Sequence, residues 1–444
     1  MAGISKNLIL TFSGCLALCG CGRLGGDALR SLLSDSNVMS SSPITYSTGI
    51  VDSTFGTAGF STFKVAGNDQ FIKQIKIQGD GKIVGTGSVQ VGANYESLVV
   101  RTNSDGSLDT SFNSTGTRVL SLSAGTDQGT GVAIQSDGKI VFSGFAANGG
   151  NGDDFVVTRL NTDGSTDASF GGGSMYTHFG FGNDHANAMV IQSDGKLLVA
   201  GMARVAGATD NFGIIRLDGT GILDATFGAG GKQTIGSTTS AAAAAVQADG
   251  KIILAGQEGN VRVAATRLNS DGSLDTGFGG TGVVYFNGSA HPILLGTAIA
   301  IQSDGKIIVG GLDTDNATVA NVALIRLNSD GSLDTSFNGT GRVTTNVSGI
   351  SCEQVKDISI QADGKIIVLG DDDGCGLADG MFMIRYNSDG TIDATFGIFG
   401  TQTFGGDGIY SLANSLAVQP DGKFVIGGQY LFNASAQSGF YRFK

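Results

Sequence analysis

The chain repeats one short phrase seven times: an apolar residue, Gln, any residue, Asp-Gly-Lys, two or three apolar residues, then Gly. The Asp-Gly-Lys turns begin at Asp80, Asp137, Asp194, Asp249, Asp304, Asp363 and Asp421, a period of 55 to 59 residues. A fixed period of this length outranks local propensity, because each unit buries its apolar face only against its neighbours. At 444 residues and 41% hydrophobic content the chain can bury a large core. Similar units over nearly its whole length argue for one closed or stacked array, not two or three separate domains.

Each unit reads as four short strands. In the second, Gly131 to Gln135 and Lys139 to Ala146 flank Asp137-Gly138, the pairing expected of a hairpin. Phe155 to Asn161 follows, then the turn Asn161-Thr-Asp163-Gly164-Ser165, and a fourth run from Met175 to Phe179. Four strands joined by tight turns make one blade of a β-propeller. Ser240 to Val246, with five consecutive alanines, would be helix on propensity. Its register, just before Gln and the Asp-Gly turn, predicts strand. The Gly five residues after each turn Lys (Gly87, Gly144, Gly201, Gly256, Gly311, Gly370, Gly428) suggests close backbone approach. Small residues recur on the strand before the turn (Ala133, Ala245, Ala300, Ala417), as expected of innermost strands crowding toward the axis.

The Gln-x-Asp-Gly-Lys turn and the run from Arg326 to Phe337 (Arg-Leu-Asn-Ser-Asp-Gly-Ser-Leu-Asp-Thr-Ser-Phe) resemble the delta-60 repeat family of bacterial proteins. The resemblance covers residues 47 to 444 and implies a seven-bladed propeller, with no established activity. The third unit departs from it, with Asp218-Gly219-Thr220-Gly221 in place of Asn-Ser-Asp-Gly.

The N-terminus reads differently. Lys6 precedes a mostly apolar stretch from Leu8 to Leu18, followed by Cys19-Gly20-Cys21. This resembles a bacterial lipoprotein signal with Cys21 as the lipidated residue; an ordinary secretory signal cleaved nearby is the alternative. Residues 1–20 are therefore expected to be a signal and 21–46 a Ser/Gly-rich tether, with a short helix possible over Ala28 to Leu33. Residues 47–444 form the propeller. The protein is expected to be exported to the cell envelope, as an outer-membrane lipoprotein or a surface or periplasmic protein, touching the membrane through its anchor only. No apolar run after residue 20 is long enough to span a bilayer. The net charge of −12 argues against nucleic acid.

No motif carries recognisable chemistry, and no metal or cofactor is expected. Asn103-Ser-Asp105-Gly106-Ser-Leu-Asp109 has part of a calcium-loop spacing, but Arg101 occupies the first ligand position and the bidentate Glu is missing. An Asx-type turn with an Arg–Asp pair accounts for it. The seven Gln residues before the turns are expected between blades, bonded to backbone. The seven turn lysines, each two residues after an Asp, are expected to form a self-neutralised solvated ring. His178 and His185, with Asp184, lie near the link between the second and third units, and His291 lies apart from them. A metal or acid–base role there is conceivable, against the simpler reading of loop residues. Asp371-Asp372-Asp373 reads as a solvated acidic tip. Cys352 and Cys375 are equidistant from the turn at Asp363-Gly364; in an unbulged hairpin they face each other, and an exported protein would oxidise them.

Strand alternation puts all the Asp-Gly-Lys and Asn-x-Asp-Gly turns on one face, where their lengths barely vary. The opposite face carries variable loops: Ala146 to Asp154, Gly288 to Leu295, Asp313 to Val319 and Asp371 to Asp379. Variable loops on a rigid scaffold are where specificity lives. The favoured reading is a monomeric, non-catalytic envelope scaffold binding an unidentified protein or glycan through that face. The alternative is a propeller hydrolase or lyase acting on an extracellular polymer or small ester. Absence of a nucleophile–base set or metal cluster favours the first.

Ring closure is also legible. Six Arg residues each have an Asp eight positions later (Asp109, Asp167, Asp224, Asp275, Asp334, Asp393), whereas Arg442 has none. Asp52-Ser-Thr-Phe55 reproduces the missing run near the other end. Gly59 to Val65 is therefore expected to be the outermost strand of the blade containing Ile409 to Phe443, with Asp52 and Phe55 beside Arg442.

Overall fold

A computed structural model describes residues 51–444 apart from 66–68, 149–151, 181, 206–208, 237–239, 259–261, 287–292, 316–318, 348–352, 372–379, 406–410 and 433–434. All described residues belong to the compact unit Ser42–Lys444. They form seven antiparallel sheets of four strands each. Blade 1 comprises Gln70–Ile77, Ile83–Val91, Asn94–Thr102 and Thr117–Leu120, and blades 2 to 6 repeat this order. In every blade the strand before the Asp-Gly-Lys turn is one edge of its sheet, and these edges pack on one another around the whole ring. They are the innermost strands. Ser240–Val246 is one of them, so tertiary register overrides the helical preference of its alanines.

The apolar core is divided into slabs between blades. Val99 and Phe112 of blade 1, for example, pack with Val132, Ile140 and Phe142 of blade 2. No blade can bury its apolar faces alone.

The Asp-Gly signal makes a hairpin, but a longer one than two residues. In blade 1 the Gly81 N–H donates to Gln78 O and the Gln78 N–H to Lys82 O, leaving a three-residue loop. Gly81 takes φ +84°, a region costly for any residue with a Cβ. Each inner strand also carries a β-bulge, at Lys73, Thr130, Asn187, Ala242, Thr297, Lys356 and Asn414, and the register of blade 5 slips a second time between Leu294 and Gly296. Beside the bulge in blade 1, a Cβ on Gly87 would lie 1.9 Å from the Phe71 carbonyl oxygen, the close approach expected of that glycine.

These irregularities change one expectation. Cys352 and Cys375 lie outside the described residues, but the nearest described pair is Gln354 opposite Asp371. The turn loop and the bulge at Lys356 have moved that register two residues from the unbulged alignment. Direct opposition of the two cysteines therefore does not follow from their distances to the turn.

The seventh blade is built from both ends of the propeller. Ser411–Val418, Phe424–Phe432 and Ser435–Phe443 come from the C-terminal side, and Phe60–Phe63 is the outer strand. Phe60 pairs with Tyr441 and Phe63 with Ser438. The closing strand is shorter than Gly59 to Val65 but lies in the expected place.

Candidate functional site

On the turn face an Arg paired with an Asp and stacked on a Phe recurs in all seven blades, seen most fully in blade 1. The Arg101 Nε donates to Asp109 Oδ2 at 2.7 Å, while Asp109 Oδ1 accepts from the Ser111 N–H and hydroxyl at 3.0 and 2.6 Å. The guanidinium lies 4.8 Å above the Phe112 ring, and its Nη1 donates across to Thr162 O of blade 2 at 2.7 Å. Each element has a local cause. The Asp ends a turn, the Ser hydroxyl caps it, and the buried Phe gives the planar cation a face. At the seam Arg442 does the same with Asp52, Phe55 and Ser104 O, at 2.9, 4.6 and 2.6 Å. Burial alone would raise the Asp109 carboxyl, but the Ser111 hydrogen bonds and the Arg101 charge hold it at about 2. Asp52, Asp167, Asp224, Asp334 and Asp393 are also held well below the usual carboxylate range.

The turn lysines differ from expectation. The Asp two residues earlier accepts the lysine's backbone N–H, as Asp80 does for Lys82 at 3.1 Å. The ammonium lies near that Asp as well, 3.5 Å from Asp80 for Lys82 and 4.0 Å from Asp137 for Lys139, but comes closer to the latch carboxylate, 2.8 Å from Lys139 to Asp167 and 2.6 Å from Lys306 to Asp334. The side chains are about a third exposed, so they are half-buried members of an Arg–Asp–Lys triad. They do not form a free charged ring. The glutamines do lie between blades: Gln78 Nε2 reaches Gly138 O at 3.4 Å, and Gln302 Oε1 accepts from Arg326 at 3.2 Å. An open 530 Å³ cleft between blades 1 and 2 is lined by these same residues, Gln78, Lys82, Arg101, Gln135 and Asp163 among them. The Asn-x-Asp-Gly segment is an Asx turn, with Asp105 Oδ1 accepting from the Ser107 N–H and hydroxyl. Every charge here is consumed internally. The turn face is a structural latch.

The opposite end treats carboxylates differently. Ten residues before the turn Asp stand Gln70, Asp127, Asp184 and Glu353, all fully buried. Each holds the incoming chain: Asp127 Oδ2 accepts from the Leu122 and Ser123 N–H groups, and Asp184 from those of Phe179 and Arg204. Behind Asp127 lies buried Glu96, whose carboxyl is pushed up by burial and by the Asp127 charge. Burial raises Asp184 as well, and lowers the nearby Lys232 ammonium. Among the three histidines, His185 stacks on Phe145 with ring centroids 4.0 Å apart and meets Asp153 at 3.0 Å. His178 is exposed and its carbonyl accepts from Lys232, so the two histidines and Asp184 do not converge on one centre. His291 and residues 372–379 lie outside the described residues.

Around the axis the bulged residues tie inner strands together. Asn187 Nδ2 donates to Ser240 Oγ and Ala241 O at 2.9 and 3.0 Å, and Asn414 Nδ2 to Ile72 O at 2.7 Å. Half-buried Asp357 accepts from the Leu416 N–H and the Ser415 hydroxyl. Among the described residues no group of three or more His, Cys, Asp or Glu could hold a metal. None of their helices is long and apolar enough to cross a membrane. The cap position was readable as a polar residue at constant offset from the turn. The axial bulges had no such signal.

Fold and latch together define a β-propeller repeat protein. Six of its repeats match the family model described as "Domain of unknown function (DUF5122) beta-propeller", over residues 78–112, 135–170, 192–227, 247–278, 302–337 and 361–396. Each match runs from the turn Gln to the latch Phe. The seventh repeat, whose corresponding residues are Gln419 and Phe55, is divided between the two ends of the propeller. No curated protein matches the chain in sequence. Solved structures with a related fold include a catalytically inactive virginiamycin B lyase from Staphylococcus aureus with quinupristin, at 11% identity and TM-score 0.47, covering 86% of this chain and 98% of that one. A protein of unknown function from Dyadobacter fermentans follows at 11% and 0.44 (85% and 96% covered). An ulvan lyase stands at 10% and 0.43 (89% and 93% covered). At these scores the likenesses carry no functional argument.

Proposed function

We propose that this protein is an exported, monomeric, non-catalytic scaffold of the cell envelope, binding a protein or a glycan through its variable-loop face. The contrast between its two faces carries this reading. On the turn face the same bonds are repeated blade after blade and use up the charged groups. On the loop face two residues separate Val91 from Asn94, whereas eight separate Asp371 from Gly380. A rigid frame with one invariant and one variable end suits recognition at the variable end. Asp52 belongs to the latch, so the N-terminal segment enters the propeller from the turn face. Lipid on Cys21 would therefore leave the loop face pointing away from the point of entry.

The test is retention of an envelope component by the immobilised propeller. Binding should be lost in Asp153→Ala and His185→Ala, both at the loop end, and kept in Lys251→Ala on the turn face. The converse pattern overturns the reading. Turnover of an extracellular polysaccharide or ester, abolished by the loop-end changes, would establish the hydrolase or lyase alternative. Metabolic palmitate labelling that persists in Cys21→Ala would remove the lipid anchor from the proposal.

A further inference from the structure

Among the described residues eight large apolar side chains are exposed, and seven of them stand on the turn face. The eighth, Val91, lies at the opposite end, in the loop between the second and third strands of blade 1. Leu108, Leu274, Leu333 and Ile392 each precede a latch Asp, and Ile222 stands one residue earlier in blade 3. Ile398 and Phe399 follow the latch Phe of blade 6.

The patch is densest in blade 6. Ile398 is 65% and Phe399 83% exposed. Ile392 lies against the same loop, where a Cβ on Gly400 would come within 2.1 Å of its methyl carbon. Other blades place Ser114-Thr115, Gly280-Thr281 or Gly339-Thr340 at the positions of Ile398-Phe399. Phe399 also takes φ +52°, a left-handed conformation disfavoured for a bulky side chain. Gly230 and Ala58 take +65° and +55° at the corresponding positions, so blade 6 keeps the loop shape and changes the side chain. The loop is held by its own backbone, with the Ile398 N–H donating to Thr401 O at 2.7 Å and the Gly400 N–H to Phe396 O at 2.8 Å. A hydrogen-bonded loop thus projects an aromatic and an aliphatic side chain into water, against the hydrophobic effect.

We propose that the Ile398-Phe399 loop is a membrane-docking tip, inserting its two side chains into the interfacial layer of a zwitterionic bilayer. Large apolar side chains gain there what they lose in water. Two features of this face select a lipid surface as the occupant. The chain from Cys21 joins the propeller here, since Asp52 pairs with Arg442 on the turn face, so the lipid proposed above is tied to the face that bears the patch. Charge selects the kind of lipid. The turn carboxylates of blade 6, Asp363 and Asp389, are exposed, and the chain carries −12 overall. Anionic headgroups are repelled by such a face, and so is a second copy of it; phosphatidylcholine is not. The link to the anchor rests on the function proposed above, whereas the docking uses blade 6 alone.

The chain contains no Trp, so Phe399→Trp in the full-length protein reports on that position alone. With phosphatidylcholine vesicles its emission should shift to the blue and be quenched by brominated acyl chains. Val91→Trp, at the opposite end, should show neither effect. Replacing part of the phosphatidylcholine by phosphatidylglycerol should weaken the response of Trp at 399. A chain held at the membrane by lipid on Cys21 alone would leave that Trp in water, so an emission unchanged by vesicles overturns the docking and leaves the anchor standing. Conversely, failure of palmitate to label Cys21 removes the anchor and leaves the expected shift as it is. An equal response from Val91→Trp overturns the docking. So does Trp emission at 399 that is already blue-shifted without vesicles, because the side chain is then covered by protein.

Discussion

The two ends of this propeller handle buried carboxylates in opposite ways. At the turn end each latch Asp sits between a guanidinium and an ammonium, in six of the seven blades with a hydroxyl as well, and its proton affinity falls below the ordinary value. At the loop end Glu96 is buried beside Asp127, Asp184 is buried with backbone donors and Asp154 nearby, and their affinities rise. Desolvation acts at both ends; the difference is whether compensating positive charge arrives with it. The turn end is thereby made for holding blades together. The loop end keeps charge under tension beneath the surface proposed to bind.

The largest effect that would break this comparison lies at the seam. Removing residues 47–65 takes away the outer strand of blade 7 together with Asp52 and Phe55, leaving a sheet edge and a buried Arg442 unpaired. Loss of the cooperative melt and aggregation on gel filtration are expected; a truncated protein that melts like the parent contradicts the closure. Phe55→Ala alone should cost about 3 to 5 kcal/mol, the range for a fully buried aromatic, measured by denaturant unfolding. Next comes Arg216→Ala, which strands the Asp224 carboxylate beside Lys196 alone and should cost about 3 kcal/mol.

Titration separates the two ends more finely. The latch carboxylates are depressed in the folded state, so their contribution is complete above the unfolded value near 3.8 and is lost as pH falls toward about 2. Glu96 has the opposite sign: its raised folded value favours folding in acid, and that contribution is lost as pH rises through it. Stability should therefore fall steeply below about pH 4 and decline gently on the neutral side. Glu96→Gln should remove part of the gentle slope and stabilise the protein at pH 7. A neutral-side slope unchanged in that variant would show that the loop-end carboxyls are not strained. Smallest of all is Lys82→Ala, a half-exposed partner of Asp109, expected to cost below about 1 kcal/mol.

Much of this architecture was legible before any coordinates. Seven Asp-Gly-Lys phrases set the number of blades, their hairpins and the innermost position of the preceding strand, even through the alanines of Ser240–Val246. The offset from Arg to Asp also revealed that the seventh unit is assembled from both sides, because a motif missing in one place and orphaned in another needs no structure to be matched. These features are local and periodic, which is how turns and strands are encoded.

Three things were decided by tertiary structure alone. Lys139 comes closer to Asp167, 28 residues away, than to Asp137, because the latch carboxylate is presented by a neighbouring strand pair. The bulges at Thr130, Asn187 and their equivalents slip the hairpin register, which moved the expected alignment of Cys352 and Cys375; a bulge at the crowded axis leaves no constant residue type to read. And Glu96 rises while Asp109 falls, although both are single acidic residues of the same blade. The sequence by itself specified the strands, the turns and the order of the ring. Which charges meet depends on packing, and only the folded ring brings them within bonding distance.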